Sequence, residues 1–311
     1  MKLSCRFTRR TFLGHSFLGH SALVAASTAF AAPHTTFAQS PVPRFKIIGF
    51  TKPFANLNAD ETADLVAEVG WDGVDCPVRS RAGQIAPERV EEELPKLVEA
   101  LKKRGKDLPM ITTEITKVDP LAEKVLRTAA GLGIKKYRLG FVYYAKTRPI
   151  SETLRDFGAA LKDIAGLNRD LGLQGGYQNH SGDNFVGAPI WDVWTVIKDL
   201  PPEQIGMCFD IAHATIEGGL SWPIEARLME PFFVALFLKD FRWEQTAKGW
   251  QPQWCNFGEG AVEKSFLTNL KKSSFTGPLC QHHEYPHGTG AEMIANFKRD
   301  LAKLREWLSG S

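Results

Sequence analysis

From Arg44 onward, short apolar runs alternate with longer amphipathic stretches, and this alternation leaves few folds open. The runs predict strands over 45–51, 73–78, 108–115, 136–140, 173–179, 205–210, 233–239 and 278–284. The amphipathic stretches predict helices over 59–69, 87–104, 120–132, 151–171, 189–200, 222–229, 264–272 and 291–308. Pro87, Pro120 and Pro189 suit first helical turns, where the missing N–H would be unpaired anyway, and Gly70, Gly105, Gly133 and Gly172 suit helix ends. Eight strand–helix units within about 270 residues predict one α/β domain over 44–308, a (β/α)8 TIM barrel. No low-complexity linker divides it. The longest irregular piece, 242–263, follows the seventh strand and is expected to cover the mouth of the barrel.

The first 38 residues read as an export leader rather than part of the fold. Thr8-Arg9-Arg10-Thr11-Phe12-Leu13 resembles a twin-arginine signature, and a modest apolar stretch and small-residue sites follow it. The stretch is interrupted by His20 and by Ser, Thr and Gly, and it falls short of the roughly 20 apolar residues that a membrane span needs. A cleaved leader places the protein in the periplasm or outside the cell. Its loss removes Lys2, Arg6, Arg9 and Arg10 and no acid, so the net charge goes from +3 to −1. That balance gives no basic surface for nucleic acid and suits a small carbohydrate or keto-sugar as partner. Oligomeric state is not written in the chain. Cys76, Cys208, Cys255 and Cys280 show no C-x-x-C spacing, which leaves neither a redox pair nor a zinc knuckle.

All five histidines beyond the leader fall in three segments that end apolar runs: Tyr177-Gln178-Asn179-His180, Asp210-Ile211-Ala212-His213, and Gln281-His282-His283-Glu284-Tyr285-Pro286-His287. Strand ends are where a barrel of this kind assembles a site. Alternation gives His282 and Glu284 one facing, a spacing that suits two metal ligands or a ligand and a base, with a hydrogen-bonded core pair as the other reading. Gln178 and His180 share a facing on the fifth strand, behind Gly175 and Gly176, which leave room near the axis. Lys239 closes the seventh strand and can hold a substrate oxygen or act as an acid, unless it pairs with Asp240. Glu114 and Arg138, at the third and fourth strand ends, are candidate substrate contacts or structural ion-pair residues. Asn256-Phe257-Gly258-Glu259-Gly260 lacks a nucleotide-binding pattern and defaults to a turn.

On these segments, together with Leu238-Lys239-Asp240, Gly258-Glu259-Gly260 and Glu284-Tyr285, the chain resembles the xylose isomerase-like barrel superfamily over about 44–308. That superfamily includes sugar-phosphate isomerases and epimerases, keto-sugar 3-epimerases, inosose dehydratases and endonuclease IV. The resemblance implies a divalent metal held by two glutamates, an aspartate and a histidine, with the glutamates exchanging protons beside a carbonyl. Asp210 matches the metal aspartate, His213 the substrate histidine and Glu284 the second glutamate. Gln178 stands at the first glutamate and Phe237 at the metal histidine.

Glutamine can offer a carbonyl oxygen but cannot take up a proton near neutral pH. The expectation is therefore a rearranged metal site of Asp210, His282, Glu284 and Gln178, holding manganese or else zinc, cobalt or magnesium. Glu284, His213 and Lys239 would be catalytic, and His180, Asn179, Gln178, Glu114 and Arg138 would touch substrate. The activity expected is an exported, metal-dependent sugar isomerase or epimerase. A keto-sugar or glycoside lyase and a non-catalytic sugar-binding barrel are the alternatives. Endonuclease chemistry is disfavoured by the few histidines and the absence of basic excess.

Overall fold

The first apolar run forms strand β1 (Ile47–Phe50), buried along its whole length. The structure, a computed structural model, describes residues 44–310; the leader expected over 1–38 lies outside them. The strands β2 (Gly73–Val78), β3 (Asp107–Thr113), β4 (Lys136–Arg138), β5 (Gln174–Gln178), β6 (Ile205–Asp210) and β7 (Phe233–Leu238) follow. A hairpin of β8 (Asp240–Thr246) and β9 (Gly249–Cys255) precedes the last strand, β10 (Leu279–Gln281). Each barrel strand runs parallel to its neighbours, and β1 pairs with both β2 and β10, so eight strands close into the predicted (β/α)8 barrel.

The helices that wrap the barrel are α1 (Ala59–Val69), α2 (Val90–Lys103), α3 (Pro120–Gly131), α4 (Ile150–Leu171), α5 (Trp191–Ile197), α6 (Ile211–Gly218), α7 (Trp222–Met229), α8 (Ser265–Leu270) and α9 (Gly290–Ser309). Local chemistry explains several ends. Asn58 and Glu61 form a reciprocal capping box at the start of α1, and Asp119 caps α3 with Pro120 in its first turn. Gly70 and Gly172 close α1 and α4 at positive φ, 94° and 64°.

Two apolar layers result. One lies between strands and helices; the smaller fills the barrel with Ile48, Phe50, Met110, Cys208, Val234, Ala235, Phe237 and Cys280. Gly176 faces inward, where a Cβ would come within 2.6 Å of Cys208 Sγ, whereas Gly175 faces Tyr137.

Three local expectations change. The stretch expected to be irregular over 242–263 is mostly the β8–β9 hairpin, closed by Thr246 Oγ1 donating to Gly249 O. Its period-two aromatics, Phe241 and Trp243 on β8, are the strand signal. Helix α6 was not expected. It starts directly after β6 because Asp210 ends the strand and caps the helix, accepting from the His213 N–H. Pro189 lies before α5 rather than in its first turn.

Candidate active site

Strands β5, β6, β7 and β10 stand side by side in the barrel, so the residues at their C-terminal ends converge. Gln178 ends β5, Asp210 ends β6, Lys239 follows β7 and Glu284 lies just beyond β10. Lys239 is the centre of this group. Its ammonium lies 3.2 Å from Asp210 Oδ2, 3.4 Å from Glu284 Oε2 and 2.8 Å from His213 Nε2. Gln178 Nε2 donates to the same Asp210 Oδ2 at 2.9 Å. Asn179 anchors the backbone beneath, donating to Asp210 O and accepting from Asp210 N.

The charges follow from this packing. Burial raises the Asp210 carboxyl, and the Lys239 ammonium opposes the rise. For Glu284 burial also raises, but Lys239 and Lys52 outweigh it and the carboxyl lies below its usual range. Glu284 is thus an ionised, partly exposed carboxylate at the mouth. Burial, and then Lys239, hold His213 well below the usual imidazole range. Lys239 Nζ lies 2.8 Å from its Nε2, and its Nδ1 accepts the Ser181 N–H at 3.2 Å with Ser181 Oγ at 2.8 Å. His180, with ring centre 3.9 Å from that of His213, is lowered to about 4 by burial and by Lys239. Both imidazoles are neutral at pH 7.

Asp240 does not pair with Lys239. Its carboxylate points away from the mouth and accepts the backbone N–H groups of Phe241, Gly258, Gly260 and Val262. That contact explains the Gly258-Glu259-Gly260 turn: a Cβ on Gly260 would meet Asp240 Oδ1 at 2.3 Å, and Gly258 has φ 84°. The hairpin leads back over the mouth and sets Trp254 on the site. Its ring lies 4.6 Å from Lys239 Nζ and edge-on to His213 at 5.4 Å.

His282 faces inward as its spacing predicts and packs between Phe50, stacked at 4.5 Å, and Phe237, tilted at 4.4 Å. Burial keeps it neutral, and its Nε2 has no hydrogen-bond partner among the described residues. Its nearest possible co-ligands lie deeper. Asp75, Cys280 and His282 each bring one ligand atom within 4.8 Å of the others, and this trio could hold a metal. The expected set of Asp210, His282, Glu284 and Gln178 does not fit a divalent ion as arranged. Lys239 holds the oxygens of both carboxylates, Gln178 turns its NH2 toward Asp210, and Phe237 offers no donor.

Glu114 and Arg138 do not pair with each other. Glu114 accepts Ser80 N and Oγ and ties down the loop after β2. Arg138 is buried beside Thr113 O and over the Phe141 ring, and burial lowers it to about 10. The outward-facing side of the last strand is structural: Gln281 accepts from Trp71 Nε1, and His283 packs on Phe297 at 4.1 Å near Asp300. The sequence reading missed Trp254, Ser181, Lys52 and Phe185, which stacks on His180 at 4.2 Å. Loop aromatics carry no spacing signal, although the period-two pattern of 240–255 could have pointed to Trp254. A hollow of about 510 Å³ lined by Arg44, Asp107, Lys136 and Pro278 lies at the opposite ends of the strands. No histidine lines it.

Residues 63–308 match the model of the xylose isomerase-like TIM barrel family. The chain belongs to that family. No curated protein matches. Among solved structures, 3-keto-D-glucoside 4-epimerase from E. coli is 14% identical, with 84% of this chain and 99% of that one covered and a TM-score of 0.64. D-psicose 3-epimerase from Clostridium cellulolyticum H10, solved with D-tagatose, is 11% identical over 85% and 99% with a TM-score of 0.66. A xylose isomerase-like barrel protein from Mycobacterium smegmatis, in complex with magnesium, is 16% identical over 85% and 98% with a TM-score of 0.61. At these identities the likeness is one of fold.

Proposed function

We propose that this chain is a sugar isomerase- or epimerase-type enzyme that removes a proton from the carbon beside a carbonyl of a keto-sugar or glycoside. The observation that carries the reading is the Glu284 carboxylate, held ionised beside the Lys239 ammonium at the C-terminal mouth of the barrel. A proton beside a carbonyl becomes removable when the oxygen receives the charge that builds up as the base takes the proton. Glu284 takes the proton, the electrons move to the carbonyl oxygen, and Lys239 donates to that oxygen. Neutral His180 holds a neighbouring hydroxyl, His213 positions Lys239, and Trp254 and Phe185 cover the apolar face of the ring. The named epimerases that share the fold act on sugars, and this agrees with the reading.

Gln178 shapes the outcome. With an amide where a second base is expected, Glu284 returns the proton on the face from which it came, to the adjacent carbon in an isomerisation, or a leaving group departs instead. Epimerisation would need His180 to deliver from the other face. Solvent-deuterium uptake into keto-sugars, followed by mass spectrometry, tests the proposal: uptake lost in Glu284→Gln supports it. Sugar binding with no uptake by the wild type would make this a binding barrel instead.

Export to the periplasm by the twin-arginine route is part of the proposal and rests on Thr8–Leu13. Retention of an Arg9→Lys, Arg10→Lys double variant in the cytoplasm is its expected result.

A further inference from the structure

Asp210 and Glu284, the two carboxylates that the family resemblance would assign to a divalent ion, already share a cation. We infer that the Lys239 ammonium replaces the divalent ion at this site, so that the chain works with a resident organic cation and needs no metal between Asp210 and Glu284. The catalytic half of this inference rests on the function proposed above; the cation-binding half does not.

Three observations converge. The first is occupancy. Asp210 Oδ2 accepts from Lys239 Nζ at 3.2 Å and from Gln178 Nε2 at 2.9 Å, while Oδ1 takes the His213 N–H at 3.2 Å. A metal would have to break donors already in place on a side chain with no solvent exposure.

The second is charge. Two carboxylates and one ammonium leave the group one unit negative; a divalent ion added to them makes it one unit positive, and Lys52 lies 4.0 Å from Glu284 as well. Lys239 is only 2% exposed, so little water screens that repulsion. The amide at Gln178 removes the one further carboxylate that could have balanced both cations.

The third is the ligand set. Phe237 packs on His282 at 4.4 Å and offers no donor, and the ligand atoms that His282 groups with are those of Asp75 and Cys280, all within 4.8 Å of one another. Lys239 is meanwhile fixed as an electrophile should be: His213 Nε2 lies 2.8 Å from its Nζ and the Trp254 ring covers it at 4.6 Å. Asp210, Glu284 and His213 account for its three N–H directions, so a substrate carbonyl at the mouth would take the one now turned to the partly exposed Glu284.

Manganese binding measured by electron paramagnetic resonance tests this on wild type, Lys239→Met and Asp210→Ala. The expected result is no stoichiometric manganese on the wild type, and affinity at least about tenfold tighter in Lys239→Met, where the ammonium is gone and both carboxylates remain. Deuterium uptake by the wild type is expected to be unchanged by a chelator. One equivalent of manganese on the wild type that Asp210→Ala abolishes overturns the inference, and the wild-type measurement decides even if Lys239→Met does not fold. Metal that persists in Asp210→Ala but disappears in Cys280→Ala sits at the deeper trio and agrees with it. Failure to take up deuterium from any sugar, with the manganese results as expected, overturns the proposed function alone.

Discussion

Lys239 and Asp240 are neighbours in the chain, yet they serve opposite sides of the wall. Lys239 faces the mouth and holds two carboxylates and an imidazole; Asp240 faces outward and gathers four backbone N–H groups into the turn that carries Gly258 and Gly260. Strand alternation alone assigns them to different environments. Side chains buried on adjacent residues can thus be separated into chemistry and scaffold by which partners they meet: titratable side chains around Lys239 and backbone amides around Asp240.

The largest effect that would break this division lies at the mouth. Lys239→Met and Glu284→Gln are each expected to lower deuterium exchange by about 100- to 10,000-fold, as loss of a general base or its electrostatic partner does. Exchange within a fewfold of wild type in either variant would remove these residues from the mechanism. Asp240→Ala should instead cost stability, roughly 3 to 5 kcal/mol in denaturant unfolding, because several charge-assisted hydrogen bonds go at once. Folded Asp240→Ala protein should keep its rate per molecule within about tenfold; a larger loss would show that the turn shapes the site itself.

Trp254→Ala sharpens the boundary between the two regions, since the ring belongs to the hairpin but touches Lys239 and His213. Loss of its cover should lower kcat/KM by about tenfold. The smallest expected effect is an absence. Because His180 is lowered to about 4 and His213 lies well below the usual range, the pH–rate profile should show no inflection near 6.5. A slope centred there would mean that one of these imidazoles titrates during turnover. The same shift affects stability with a defined sign. The unfolded chain binds a proton at His180 near pH 6.5 and the folded chain only near 4, so this contribution is lost as pH falls through that window. A His180→Phe variant should therefore show a smaller fall in unfolding free energy between pH 6.5 and 4 than the wild type.

The alternation of apolar and amphipathic runs determined the barrel, because an eight-fold strand–helix repeat can bury its apolar faces in few other ways. It also determined which side chains share a face, as the inward Cys280 and His282 and the outward Gln281 and His283 show. Chain spacing could not say how far each inward side chain lies from its neighbours on other strands. His282 and Glu284, two residues apart and facing alike, end in different layers: one between Phe50 and Phe237, the other at the mouth beside Lys239. Helix α6 escaped sequence reading because one residue, Asp210, both ends a strand and caps the helix. Tertiary structure alone decided that Lys239 sits between the two carboxylates, because that position depends on the register of β6, β7 and β10 around the barrel, which local sequence does not encode.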